Sequence, residues 1–158
     1  MAPSQEKLSN HTQALQQLAR VFVEIPFNRM LGLRLNTLEK DEITMMFDMQ
    51  KELVGNYLYG ILHGGVISSV LDMAGGMAAM VSVIHRQTDQ TLEEMANIIG
   101  KSSTIDLHIN YIRPGKGNHF IAKASVVHTG NKICFARMEL CNDESTLIAT
   151  GTGTYLVG

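Results

Sequence analysis

Hydrophobic and polar positions divide the chain into contrasting stretches. From Gly64 to Ile84 nearly every residue is apolar or small, and Asp72 is the sole charged side chain. Before it, Leu8, Leu15, Leu18, Ala19, Phe22 and Ile25 recur at helical spacing and predict an amphipathic helix over about residues 6–24, which Pro26 stops. That helix reads as a surface element packed on the domain. Leu31 to Leu35 alternates and predicts a strand, Glu39 to Glu42 a polar turn, and Ile43 to Met49 a return strand. Residues 50–62 then lead to the apolar helix. After it the chain turns polar. Thr91 with Glu94 forms a capping box, Leu92, Met95, Ile98 and Ile99 supply an apolar side, and Gly100 can close the turn, so a short helical insert is predicted over about 88–100.

The remainder alternates with period two. Strands are predicted at Ser103 to Ile112, His119 to His128, Lys132 to Cys141 and Thr146 to Val157. The breaks at Arg113 to Gly117, Gly130-Asn131 and Asn142 to Glu144 are turn sequences. In the first strand Ile105, Leu107, Ile109 and Tyr111 share one face, and Thr104, Asp106, His108 and Asn110 the other. Consecutive hairpins imply an antiparallel sheet with one apolar face laid on the long helix. The expectation is an α+β chain with a six-stranded sheet around one central helix, forming a single domain over residues 1–158.

The central helix is long enough to be compared with a membrane span. Asp72 in its middle would be costly there, and no basic cluster flanks the run, so the core helix is the expected reading and no membrane span is predicted. Unrolled at about 100° per residue, the helix places Gly65, Ser68, Ser69, Gly75, Gly76 and Ala79 on the face of Asp72. Val66, Ile67, Val70, Leu71, Met73, Ala74, Met77, Met80 and Val81 form the opposite face, which a sheet can cover. Small neighbours around a carboxylate admit two readings. One is a helix-packing groove holding a hydrogen-bonded Asp; the other is a catalytic carboxylate with Gly65, Ser68 and Ser69 leaving room for substrate.

Gly64 and Gly65 open this helix. A helix start leaves N–H groups without partners and carries partial positive charge, and glycines let an oxygen come close. The helix therefore offers an oxyanion-binding end and a carboxylate further along, the two groups that acyl transfer and hydrolysis need. They stand eight residues apart, about 12 Å at 1.5 Å per residue. One carbonyl cannot touch both. A second copy of the helix, antiparallel across a two-fold axis, would bring its Gly64 beside this Asp72, so a homodimer with shared active sites is expected, and a dimer of dimers is compatible with it.

Composition narrows the function classes. A net charge of −2 gives no electrostatic case for nucleic acid, and one amphipathic helix is too little for a helix-turn-helix unit. Cys134 and Cys141 are seven apart, on opposite faces of one predicted strand, and no Cys/His cluster argues for a metal. Free thiols and a polar Met1 to Asn10 stretch without an apolar signal core point to a cytoplasmic protein. Ten methionines and no tryptophan suggest an adaptable interior, suited to a flexible apolar ligand.

Several segments carry a family resemblance. His63-Gly64-Gly65, with Asp72 nine positions after the His, resembles the HGG…D motif of the PaaI-type acyl-CoA thioesterases of the hotdog fold. Thr104 to Leu107, Tyr111 to Gly115, Gly130 to Lys132 and Thr154 to Val157 fit the same family. Val54-Gly55-Asn56, Ile61 to Val66 and the insert after the helix are similar to the small bacterial YigI thioesterases. The resemblance spans roughly residues 20–158. It implies hydrolysis of medium- to long-chain fatty acyl-CoA, with coenzyme A only as part of the substrate and no separate cofactor. It implies Asp72 as general base or nucleophile, the Gly64 N–H as polariser of the thioester carbonyl, and Thr104 as a water-positioning hydroxyl. Asn56 matches an orienting Asn but lies seven before His63, where relatives often have it six before; Tyr57 stands there. His63 either contacts substrate or caps the helix start. Arg113, Lys116 and Lys132 are candidates for the coenzyme A phosphates, or solvated turn residues. Two other classes compete: a hotdog dehydratase or hydratase, and a non-catalytic acyl-CoA-binding protein.

Overall fold

The computed structural model describes residues 5–40, 42–86 and 91–157. The N-terminal helix α1 spans Gln5–Val23, and Leu15 and Ala19 on its predicted stripe are buried. Pro26 ends it and also begins α2, Pro26–Met30, where a proline at the first helical position loses no hydrogen bond. Strands β1, Arg34–Leu38, and β2, Ile43–Asp48, follow. A two-stranded hairpin, β3 Val54–Asn56 and β4 Ile61–Leu62, leads into α3, Gly64–Arg86. The insert forms α4, Leu92–Lys101, and its capping box is present. Residues 88–90 of the predicted insert, Asp41 of the first turn, and the side chains of Leu8, Leu92 and Ile98 lie outside what is described. Strands β5 Ser103–Tyr111, β6 His119–Thr129, β7 Ile133–Asn142 and β8 Leu147–Leu156 complete the chain.

The sheet is six-stranded and antiparallel, in the order β1-β2-β6-β7-β8-β5. Helix α3 packs across β6, β7 and β8 and reaches β2 and β5. Most of its greasy face is buried as predicted, with Ile67, Val70, Leu71, Ala74, Met77 and Val81 joining Phe47, Phe120 and Met138 in one core, but Met73 and Met80, expected on that face, turn toward the side of Asp72. Two-thirds of the apolar window of α3 is buried inside the fold, 67%. This length and apolarity therefore belong to a core helix. The cysteines sit as expected, Cys134 buried and Cys141 half-buried on the other side of β7, both free.

Three local expectations are corrected. The alternation over residues 31–35 is not a strand from Leu31. Leu31 caps α2 and Gly32 adopts φ +67°, a left-handed turn suited to glycine, so β1 starts at Arg34. The small face of α3 does not include Gly75. A Cβ there would lie 2.2 Å from the Tyr155 hydroxyl and 2.9 Å from the Met138 sulfur, so Gly75 is turned to the sheet and lets helix and sheet approach. Ala79, expected beside Asp72, is fully buried.

The third correction concerns β5. Thr104 pairs with Tyr155 and Asp106 with Thr154, which leaves Ile105 as an extra residue in a bulge. The bulge reverses the alternation. Thr104 shares the inward face of Tyr155, while Ile105 is exposed. Beyond the bulge Leu107 and Ile109 face the core as expected.

Candidate active site

Helix α3 begins under close control. The His63 carbonyl accepts hydrogen bonds from Val66 and Ile67 N–H. The His63 ring closes the remaining gap: its Nδ1 accepts from Gly65 N–H at 2.9 Å, an N-cap made by an imidazole. With Nδ1 accepting, the proton of the neutral ring resides on Nε2. His63 N–H is held by the Leu53 carbonyl at 2.8 Å. Among the described residues no acceptor takes the Gly64 N–H. The cap thus leaves one amide of the helix start open, and it is that of Gly64.

One turn on, the Ser68 and Ser69 hydroxyls both return to the Gly65 carbonyl, at 3.1 and 2.7 Å. Such back-bonding turns their protons inward and leaves their oxygens as acceptors. Two turns on lies Asp72, half-buried. Thr104 donates its hydroxyl to Asp72 Oδ1 at 2.9 Å. The β5 bulge makes that bond possible, because it turns Thr104 toward the helix. Beneath Asp72, the Tyr155 hydroxyl donates to the Asp72 backbone carbonyl at 3.2 Å. Burial above all, and then the Asp72 carboxylate, push the Tyr155 phenol far above its ordinary range, so it stays protonated.

A cavity of about 330 Å³ opens at Asp72. Ser69, Thr104 and Ser102-Ser103 form its polar side. Its apolar walls come from Phe22, Ile25 and Phe27 of the N-terminal segment, from Met73, Gly76 and Met80 of α3, and from Val157. The N-terminal helix is therefore more than the surface cover expected from its stripe. Ile25 and Phe27 keep 41% and 47% exposure because they line an open cavity rather than the core. Sequence reasoning missed this wall. Its signal was the Phe22, Ile25 and Phe27 cluster around Pro26, too apolar for a surface end. It also missed Tyr155, legible only as a buried aromatic on a strand.

The structure separates the predicted site residues into two groups. Asp72, Thr104 and Ser69 meet at the cavity. Gly64, Gly65 and His63 lie at the helix start, where the Tyr111 hydroxyl donates to the Gly64 carbonyl at 3.1 Å. Asn56 belongs to that end but faces its own turn: its Oδ1 accepts from Leu58 N–H at 3.2 Å. Among the described residues no hydrogen bond joins Asn56 to Asp72, Thr104 or Gly64. The basic candidates also divide. Lys116 stands 5.7 Å above the Tyr59 ring, and Arg113 donates to the Leu147 carbonyl at 3.0 Å. Both lie toward the helix start, where Gly115 of the same loop takes the Leu62 N–H. Lys132 lies at the far end, its carbonyl accepting from Val157 N–H. Within one chain the open amide stands at the start of α3 and the carboxylate two turns further along, about 12 Å away.

Comparison with known proteins agrees with this architecture. The thioesterase superfamily profile matches residues 59–149, from the turn before His63 into β8. A Salmonella typhimurium protein named medium/long-chain acyl-CoA thioesterase YigI is 43% identical over 147 residues, covering 92% of this chain and 95% of that protein. A crystal structure of a Shewanella oneidensis protein described as related to the thioesterase superfamily superposes with a TM-score of 0.90 at 40% identity, covering 94% of this chain and 97% of that one. The Escherichia coli PaaI protein shares the fold, with a TM-score of 0.73 at 17% identity over 92% of this chain and 94% of that one. The chain belongs to the thioesterase superfamily, with the hotdog fold and with YigI-type acyl-CoA thioesterases among its relatives.

Proposed function

We propose that this enzyme hydrolyses medium- to long-chain fatty acyl-CoA to the free acid and coenzyme A, in sites shared between two copies of the chain. The observation that carries the reading is the Asp72–Thr104 pair set at the mouth of an apolar cavity. The name of the 43%-identical relative supports the substrate class. The acyl chain enters the cavity, and the thioester lies at Asp72. Thr104 occupies Oδ1, which leaves Oδ2 for a water molecule. Asp72 takes a proton from that water as its oxygen attacks the carbonyl carbon. The carbonyl oxygen becomes an oxyanion, held by the open Gly64 N–H of a second copy. Collapse breaks the carbon–sulfur bond. The thiolate of coenzyme A leaves and recovers the proton; an ordinary thiol pKa of about 8.5 makes it a good leaving group.

Two features support the second copy. The α3 rise separates Gly64 from Asp72 by about 12 Å. Strand β5 is a sheet edge with exposed Ile105 and Tyr111, an edge that a two-fold mate can pair. In that arrangement Arg113 and Lys116 of one copy, which lie toward its own helix start, approach Asp72 of the other and are the candidates for the coenzyme A phosphates, while Lys132 beside Val157 lies on the acyl side. Two such dimers would meet on the outer sheet face, where Val127 and Phe135 are exposed. The compartment that suits the two free cysteines is the reducing cytoplasm.

A thiol-release assay with a few acyl-CoAs tests the activity. Stoichiometric release of free thiol is expected. Binding without release would make the chain a sensor, and appearance of an enoyl chromophore from a hydroxyacyl thioester would make it a dehydratase.

A further inference from the structure

The geometry points to Gly76 as the residue that sets how long an acyl chain the cavity accepts, an inference that rests on reading this cavity as the acyl site. Asp72, Gly76 and Met80 are spaced four apart on α3 and all three line the cavity. At 1.5 Å per residue Gly76 stands about 6 Å beyond Asp72, and Met80 about 12 Å. Carbon–carbon bonds of about 1.5 Å advance an extended alkyl chain by about 1.25 Å per carbon. Gly76 therefore lies beside roughly the fifth carbon of the chain, and Met80 beside roughly the tenth.

Two adjacent glycines in a helix interior need two explanations, because glycine is the poorest helix former after proline. Gly75 is explained by packing, since a Cβ there would collide with the Tyr155 hydroxyl at 2.2 Å. Gly76 is not. A Cβ there would meet only the Tyr155 ring, at 3.6 and 3.9 Å, which is ordinary contact. The fold has room for a side chain at Gly76, and that room is the cavity. Phe22 and Phe27 contribute aromatic walls to the same cavity. The missing side chain keeps the passage open past the fifth carbon.

The test is a chain-length series of saturated acyl-CoAs, from butanoyl to hexadecanoyl, with the wild type, Gly76→Ala and Gly76→Leu. In the wild type kcat/KM should rise by up to about fourfold per methylene as far as decanoyl or dodecanoyl and then level off. Gly76→Leu should stop the rise near hexanoyl. It should lower kcat/KM for decanoyl-CoA by about tenfold or more while holding butanoyl-CoA within about twofold. Gly76→Ala, the milder change, should shift the plateau by fewer carbons. An unchanged profile in folded Gly76→Leu, or an equal loss at every length in both variants, would overturn the inference. A wild type that releases thiol from no acyl-CoA would instead remove the acyl reading of the cavity and this inference with it.

Discussion

Thr104 Oγ1 donates to Asp72 Oδ1 at 2.9 Å, across the gap between an edge strand and the central helix. The bond orients the carboxylate, and in the proposed reaction the other carboxylate oxygen is the one that meets water. Asp72→Asn keeps the shape and loses the base, so kcat should fall by about 10²- to 10⁴-fold with the fold intact. Thr104→Val removes a hydrogen bond to a charged group, worth about 1.5–3 kcal/mol, and should lower kcat by roughly 10- to 100-fold. Thr104→Ser should restore most of it. Near-normal turnover in folded Asp72→Asn would take the chemistry away from this carboxylate.

His63 divides into a capping role and a contact with substrate, and one pair of variants separates them. Its Nδ1 caps the helix start through Gly65 N–H. If capping is its whole role, His63→Ala should cost about 0.5–2 kcal/mol of stability, and His63→Asn, whose oxygen can take the same N–H, should recover stability and turnover together. Recovery of stability without turnover would assign the free Nε2 a part in catalysis. Denaturation midpoints and kcat on the same preparations give the answer.

Tyr155 supplies a pH signature of the site's foundation. Its phenol pKa is raised, first by burial and then by Asp72. The unfolded chain ionises near pH 10, whereas the folded chain does not. This contribution to stability is complete below about pH 10 and is lost as pH rises above it, with a slope of up to about 1.4 kcal/mol per pH unit. Tyr155→Phe should lose about 0.5–1.5 kcal/mol at neutral pH with its bond to the Asp72 carbonyl. It should also flatten the alkaline limb of stability. Urea midpoints from neutral pH upward would show whether both changes occur.

The fold was largely legible because its two periods are unusually clean. Alternation marked β6, β7 and β8 to within a residue or two at each end, and the uninterrupted apolar run marked α3. Asp72 stood out as the one charge in that run. What stayed hidden were features that depend on contact across the chain. The bulge at Ile105 has no local signature, yet it decides that Thr104 faces Asp72. Gly75 and Gly76 look alike in sequence, and only Tyr155, far along the chain, tells them apart. The Asn56 side chain was assigned by resemblance, and its Asx turn with Leu58 depends on the hairpin that follows.

Helix α4 ends at Lys101, directly before the Ser102-Ser103-Thr104 lip of the cavity. Its Met95 is buried in the core and Ile99 packs against it, so the helix is held by its apolar side rather than loose along its length. As a short, largely exposed insert leading into that lip, α4 should still open locally more often than α3 does. Hydrogen exchange over residues 92–101 should slow when a non-hydrolysable acyl-CoA analogue binds. Unchanged exchange would leave α4 a plain surface helix.

The most direct measurement of the shared site is complementation between two inactive chains. Asp72→Asn removes the carboxylate. Gly64→Pro removes the open N–H while suiting the first turn of a helix. Each homodimer should be nearly inactive. In a mixed dimer one site carries both lesions, and the other combines an intact Asp72 from one copy with an intact Gly64 from its mate. After subunit exchange, confirmed by tagging the two variants differently, each heterodimer should show about half the activity of a wild-type dimer. Confirmed exchange with no recovery would contradict a site in which Asp72 and the Gly64 amide of two chains act on one carbonyl.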